Sequence, residues 1–479
     1  YIDVTFLFLT VIKIKTMNRI LNILFLCSLF SSIMACGETN DSRLSGGDSP
    51  VLIGKDYLSV LPATIQVGNF PGIFKLNIAT NLVWSASTEE DWIELPKTEG
   101  GKEILSVGYT ANVDVTTSRK AKITFSAEGV DDVVVDIVQS DKTFTNPIAG
   151  IPDPWIVQYQ GAYYTCKAHG NGINVSKSNK LTVINSTKSI WTAPKDNGTI
   201  NPWNTSHVWA PELHFIDGRW YVYYAAGRPH EESGSYKMQR TGVLRSKTAD
   251  PMGEYEDMGM IYTGDEYVPG IIATADNTCY AIDMGVVNIG GKLYAVWSGT
   301  TNKETGGDQR IYIAEMTNPW TISSNRVQIS QPDQSWELVQ PSVKVNEGPA
   351  FLQHDGKVFI VYSCNGSWTK YYRLAYLMLN IGDNPMIPAN WKKSPNAVFY
   401  RCDNTAEEDG VNGVGHCSFT KSPDGTEDWI VYHVKNRNDG SYESGRSTFM
   451  QRFTWNTDGT PNFGTPVGWG ESIVVPSGE

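Results

Sequence analysis

The sequence predicts an all-β protein, a five-bladed β-propeller preceded by a small β-sandwich. Three observations carry this. The 479 residues include 44 Gly, 15 Trp, 23 Tyr and 16 Phe but only 19% charged side chains, the balance of an aromatic, turn-rich sheet protein. Between Asn146 and Glu479 a strand–turn–strand unit recurs five times. Ahead of it, from Val51 to Lys142, short alternating segments are separated by turn residues, the pattern of two packed sheets. The formal net charge of −12 argues against a nucleic-acid partner, because such affinity rests on clustered Lys and Arg neutralising phosphates.

Residues 1–36 read as upstream sequence followed by an export leader. Met17-Asn18-Arg19, the apolar run Ile20 to Phe30 and Ser31-Ser32-Ile33-Met34-Ala35-Cys36 supply the charged, apolar and small-residue regions of a signal peptide. Ile33-Met34-Ala35-Cys36 resembles a lipobox, which implies acylation of Cys36 and an exported lipoprotein of the outer membrane, on its periplasmic face or at the cell surface. A transmembrane helix is the alternative, but the apolar run falls short of the ~20 residues a span needs. Glu38 and Asp41, just after that cysteine, lean toward the exterior. Residues 37–50, polar and rich in Gly and Ser, cannot bury a core and form a tether.

Residues 51–142 carry Phe74-Lys75-Leu76-Asn77-Ile78, Lys120-Ala121-Lys122-Ile123-Thr124-Phe125 and Val133-Val134-Val135-Asp136-Ile137-Val138, strands by their period-two alternation. Trp84-Ser85-Ala86-Ser87, Asp91-Trp92-Ile93 and Ile137-Val138-Gln139-Ser140 resemble a BACON domain, which implies an immunoglobulin-like sandwich. With no catalytic cluster and no aromatic strip, its role reads as spacer rather than sugar contact. Seven cysteines, none in a CxxC or Cys/His spacing, indicate neither a zinc knuckle nor a disulfide framework. Buried thiols, with room for one bridge, are the expected state.

Residues 146–479 hold the repeat. Each unit opens on a polar residue, runs as an apolar strand, turns at a Gly-containing pair and returns as a strand rich in Tyr, Val and Trp. The openers are Asp153, Glu212, Asp283, Glu347 and His416, and the turns are Gln160-Gly161, Asp217-Gly218, Gly290-Gly291, Asp355-Gly356 and Asp424-Gly425. Each turn is a hairpin signal. Their spacing, roughly 55 to 75 residues, leaves room for a four-stranded blade of about 40–50 residues plus loops. An array of sandwiches is the competing architecture.

The innermost strands of a propeller line one axis, so their openers converge. Four carboxylates and an imidazole would then share a funnel, and charges removed from water cost several kcal/mol unless paired or solvated. Such a ring suggests catalysis or a cation. Glycoside hydrolysis needs two carboxyl groups, one donating a proton to the leaving oxygen and one activating water or attacking the sugar. A third can tune the pair, since nearby negative charge raises a carboxyl pKa.

Asp153-Pro154-Trp155, Trp209-Ala210-Pro211-Glu212-Leu213-His214, Ala281-Ile282-Asp283 and Asn346-Glu347-Gly348-Pro349 resemble the blade-opening motifs of glycoside hydrolase family 43. The tail, Met450-Gln451-Arg452-Phe453-Thr454-Trp455 and Phe463-Gly464-Thr465-Pro466, is similar to the end of its arabinofuranosidase members. The resemblance implies an inverting enzyme with Asp153 as general base, Glu347 as general acid and Asp283 tuning and orienting the acid. It implies no cofactor for the chemistry, and a hydrated structural calcium held on the axis through His416, although Cys417 stands where the family often has Asn. Trp155, His207, Trp209 and Glu212 are the expected substrate-binding residues, with core packing the alternative for each tryptophan. Arg245, Arg310 and Arg373 are open between surface and substrate.

The activity implied is exo-acting α-L-arabinofuranosidase on arabinan or arabinoxylan, so the partner is a plant cell-wall pentosan. A β-xylosidase, an endo-arabinanase and a catalytically inactive sugar-binding lipoprotein are the alternatives. Exo action expects a pocket closed by loops such as Tyr255 to Ala275.

Overall fold

Alternation of buried and exposed residues along its strands organises the N-terminal part of the computed structural model. In Gly72–Thr80 the side chains of Phe74, Leu76 and Ile78 point inward while Lys75 and Asn77 face out, the half-buried pattern of a sheet with one wet face. The structure describes residues 56–67, 71–112, 118–139, 142–197, 202–229, 236–303, 308–401, 411–435 and 445–479. The leader, the tether, Cys36 and Cys402 lie outside them.

Two sheets form this part. One orders its strands Leu58–Leu61, Gly72–Thr80, Glu103–Tyr109 and Ile93–Glu94; the other Thr64–Val67, Val133–Gln139, Arg119–Ala127, Trp84–Ser87 and Glu99–Gly100. Their inner faces share one core around Leu76, Ile78, Trp84, Ile123, Phe125 and Ile137.

The remainder is a succession of five antiparallel meanders. The first is Trp155–Tyr159, Ala162–His169, Gly172–Ser178 and Thr187–Thr192; the second is Ser206–Ile216, Arg219–Gly227, Arg240–Ser246 and Tyr255–Met260. The third runs Ala281–Ile289, Lys292–Gly299 and Arg310–Asn318, with Thr321–Ile322 and Val327–Ser330 both paired to the last of these. The fourth is Asn346–His354, Lys357–Cys364, Arg373–Asn380 and Lys392–Lys393; the fifth is Asn412–Lys421, Asp428–Lys435, Arg446–Trp455 and Pro461–Asn462. A 3-10 turn at Pro388–Asn390 is the sole helical element among the described residues. The protein is all-β, as its composition and hairpin signals predict.

Adjacent meanders bury their faces against each other in a cycle. The first and second share a core through Tyr164 and Trp220, the second and third through Tyr223 and Trp297, the third and fourth through Val296 and Ile360. The fourth and fifth meet at Phe359 and Tyr432, and the fifth returns to the first through Trp429, Val431, Ile156 and Tyr163. Thr143–Thr145 pairs with Ser472–Val474, and the Asn146 side chain exchanges two hydrogen bonds with the backbone of Met450, at 2.9 and 3.0 Å. The segment entering the first sheet is thereby stitched to the last. Cys166, Cys279, Cys364 and Cys417 are buried thiols.

Candidate active site

The first strands of adjacent meanders lie against one another around the whole cycle, and these strands depart from regular pairing near their openers. Register shifts fall between Trp209 and Glu212, Ile282 and Gly285, Glu347 and Ala350, and Gly415 and Ser418. Such bulges re-aim side chains. The backbone is left-handed at Asp153 (φ 51°), Asp283 (52°) and His416 (46°), and at Gly348 (58°) immediately after Glu347. Non-glycine residues tolerate this region at a cost of order 1–3 kcal/mol, and it concentrates at functional sites. Gly348 has a second constraint, since a Cβ there would lie 3.1 Å from the His416 ring.

The result is a cavity of about 760 Å³ whose wall includes Asp153, Asp283, Glu347 and His416, together with His207, Trp209 and Arg446. The Asp153 carboxylate lies 2.7 Å from Arg446 Nη1, 3.3 Å from His416 Nδ1 and 3.2 Å from His433 Nδ1. The Asp153 amide lies 3.2 Å from that same His433 nitrogen, and Nε2 on the other side of the ring has no hydrogen-bond partner. Burial holds His433 down at about 4, so this imidazole is neutral.

Electrostatics separate the acids. Burial alone would raise Asp153, but the guanidinium of Arg446, helped by His416 and His433, outweighs it and holds the carboxyl well below the usual carboxylate range. Glu347 moves the other way. Burial pushes it up to about 7, with the charge of Asp153 adding and the Tyr372 hydroxyl opposing. Burial likewise raises Asp283 to about 7, opposed by His416 and reinforced by Glu347, Asp153 and Glu212. The Asp283 carboxylate accepts the Gly348 amide at 3.1 Å, tying it to the peptide that follows Glu347. One carboxyl kept ionised beside another kept protonated is the division of labour that acid–base chemistry requires.

Two of the expected sugar contacts lie elsewhere. Trp155 donates its indole N–H to the Leu213 carbonyl at 2.8 Å and packs on His214, ring centroids 4.7 Å apart. It fills the joint between the first two sheets. Glu212 is buried away from the cavity against His214 Nε2 at 2.9 Å. Burial raises Glu212 to about 8, against the pull of His416, and lowers His214 to about 3, so the pair is a neutral hydrogen bond rather than an ion pair. His207 and Trp209 do line the cavity and cluster with Tyr236, at 4.5 and 5.2 Å between ring centroids. The segment Tyr255 to Ala275 begins as the strand Tyr255–Met260, and no residue of it lines the cavity.

Around His416 the nearest acidic oxygen belongs to Asp153 and is taken by Arg446. Among the described residues no group of three or more His, Cys, Asp or Glu is arranged to hold a metal ion.

Arg446, His433, Tyr372, Tyr280, Gln309 and Trp368 are site residues that the opener pattern misses. A signal for Arg446 exists. The third strand opens on arginine in four sheets, at Arg240, Arg310, Arg373 and Arg446. Arg240 pins the Ala275 and Thr278 carbonyls and Arg310 reaches Gln328, while Arg446 meets the axial acid. Arg245 pairs with Glu256 and lies over Trp320.

Residues 144–461 match the profile of Glycosyl hydrolases family 43. The chain is 38% identical over 344 residues to an extracellular exo-α-(1→5)-L-arabinofuranosidase of Streptomyces avermitilis, covering 69% of this chain and 65% of that protein. It is 37% identical to α-L-arabinofuranosidase 43 of Humicola insolens, covering 56% of this chain and 52% of that one. The chain thus spans between about half and two thirds of the length of these curated relatives. Among solved structures, an α-L-arabinofuranosidase from Lactobacillus brevis superposes with a TM-score of 0.59 at 32% identity, over 68% of this chain and 98% of that one. A thermostable family-43 glycoside hydrolase does so with a TM-score of 0.52 at 26% identity, over 69% and 100%. The ordered motifs, the all-β architecture and the match across two thirds of the sequence agree: this chain belongs to glycosyl hydrolases family 43.

Proposed function

We propose that the chain is an inverting, exo-acting α-L-arabinofuranosidase of plant pentosans, built on a five-bladed β-propeller whose blades are the five meanders. The observation that carries the reading is the opposite treatment of Asp153 and Glu347 in one cavity, the first held ionised by Arg446 and the second raised by burial. Asp153 acts as general base. It takes a proton from water, whose oxygen attacks the anomeric carbon as Glu347 donates its proton to the departing glycosidic oxygen. Asp283 orients the acid by holding the Gly348 peptide that follows it. Inversion expects the two carboxyl groups about 6.5–9.5 Å apart, leaving room for that water. His207 and Trp209 flank the sugar.

The arabinofuranose preference rests on the Streptomyces and Humicola relatives, both named for that activity. Release of 4-nitrophenol from the α-L-arabinofuranoside and the β-D-xyloside, side by side, tests it. Preference for the arabinoside supports the reading; preference for the xyloside, or silence on both substrates and on arabinan, overturns it.

The proposed chemistry routes no step through a metal. Calcium prefers six to eight oxygen ligands, and with Asp153 engaged by Arg446 an ion at His416 would depend on its water shell. The N-terminal sandwich is read as an immunoglobulin-like, BACON-type spacer. Cys36 is read as the lipid anchor of an exported outer-membrane protein, in keeping with the extracellular Streptomyces relatives. Incorporation of a clickable palmitate analogue that a Cys36→Ser change abolishes would support the anchor; equal labelling would exclude it.

A further inference from the structure

The cavity has a graded wall. Asp283 and Glu347 are 4% and 7% exposed at its depth, whereas the Trp368 side of the same cavity belongs to a residue 41% exposed. Trp368 lies between the second and third strands of the fourth sheet, whose first strand carries Glu347. That turn is held from below. Asn365, fully buried with φ 65°, donates to the Trp336 carbonyl at 3.1 Å and accepts from the Val339 amide at 3.2 Å. The Thr369 amide and hydroxyl both donate to the Gly366 carbonyl at 2.9 Å. The indole of Trp368 lies directly against Gly366, where a Cβ would meet it at 2.6 Å. An indole seated on a glycine in a pinned turn is a preorganised flat face, not a mobile surface side chain.

From this placement we infer that Trp368 is the platform for the leaving sugar, the second residue of an arabinan chain, and so sets the preference for oligosaccharide over simple glycosides. This rests on the reaction proposed above. The proton donor stands on the side from which the leaving group departs, and Trp368 is the exposed aromatic that the donor's own sheet contributes to the cavity wall. A furanose ring offers a C–H face that packs against an aromatic plane while its hydroxyl edge stays in water. A rim residue meets the second sugar, because the first is drawn down to the acids.

The test compares Trp368→Ala and Trp368→Phe with wild type on α-(1→5)-arabinotriose and on methyl α-L-arabinofuranoside, whose aglycone has no ring. The ratio of kcat/KM for the trisaccharide to that for the methyl glycoside should fall about tenfold in the Ala variant, mainly through KM, and recover in the Phe variant, the scale of one lost stacking contact. An unchanged ratio would overturn the platform. Calorimetric titration of arabinotriose into Glu347→Gln, with and without Trp368→Ala, reads binding without turnover. About tenfold weaker binding supports the platform even if the wild type proves inactive, in which case the hydrolase reading alone fails. Equal affinity, or no binding in either protein, overturns it.

Discussion

The guanidinium of Arg446 sits 2.7 Å from the carboxylate of Asp153, 293 residues away in sequence. Within the proposed mechanism this contact keeps the general base ionised against the pull of burial. A base whose folded pKa is depressed works at all pH values above it and loses activity only as pH falls through that value. Arg446→Met removes the cation, so the acidic limb of the kcat/KM profile should move to higher pH by a unit or more, a loss of about tenfold per unit at pH values below that limb. A pH profile on the aryl arabinoside decides it, and an unmoved limb would mean that Arg446 does not set the state of Asp153.

Glu347 has the opposite requirement. A general acid must be protonated, and burial raises this one to about 7, so wild-type activity should decline as pH rises through about 7. Glu347→Gln should lower kcat by about 10²–10⁴-fold, the usual scale of general-acid catalysis, and abolish that basic limb while sugar binding persists. Steady-state rates with parallel calorimetry read both effects.

The Glu212–His214 pair makes a prediction about stability. Glu212 has a folded pKa of about 8 against an ordinary 4.5, so the folded state holds its proton where the unfolded chain releases it. Its contribution is complete below about 4.5 and is lost as pH rises through 8. His214, lowered to about 3 from 6.5, acts in reverse, contributing fully above 6.5 and losing that contribution as pH falls toward 3. Gln at position 212 is always neutral and can donate as the protonated acid does. Glu212→Gln should therefore flatten the alkaline side of a melting-temperature profile between pH 5 and 9 and leave the acidic side in place. Parallel profiles for the two proteins would count against a neutral buried pair.

Trp155→Phe separates a packing tryptophan from a sugar-binding one. Losing the indole N–H leaves the Leu213 carbonyl without that donor, at a cost of about 1–3 kcal/mol. The urea midpoint should fall while KM for the arabinoside stays within about twofold. A rise in KM without loss of stability would return Trp155 to the pocket.

The parts of the site that can be read from sequence share one property. Asp153, Asp283, Glu347 and His416 all open strands of a recurring hairpin, so a local pattern repeated along the chain marks them before any contact is known. Glu212 looks equivalent in that pattern, but in the second sheet the left-handed position falls on Ala210 (φ 39°), which lines the cavity, and the register shift before 212 leaves the carboxylate behind it. His433 and Tyr372 could not be found that way. They lie within or just before later strands of their sheets, and their rings stack at 5.4 Å only once the fourth and fifth sheets meet. The arginines that open third strands were visible as a series, yet which one reaches the acids depends on which sheet neighbours Asp153.

The clasp between the segment at Thr143–Asn146 and the last sheet bears on when the protein becomes competent during its manufacture. Bringing Asp153 to Arg446 closes a loop of 293 residues, an entropic cost on the order of 5 kcal/mol, and nothing offsets that cost until the fifth sheet can seal against the first. A chain that stops short of the fifth sheet would carry Asp153, Asp283 and Glu347 but neither Arg446 nor the seal that assembles them. Competence arrives late and at once, when the last sheet closes on the first.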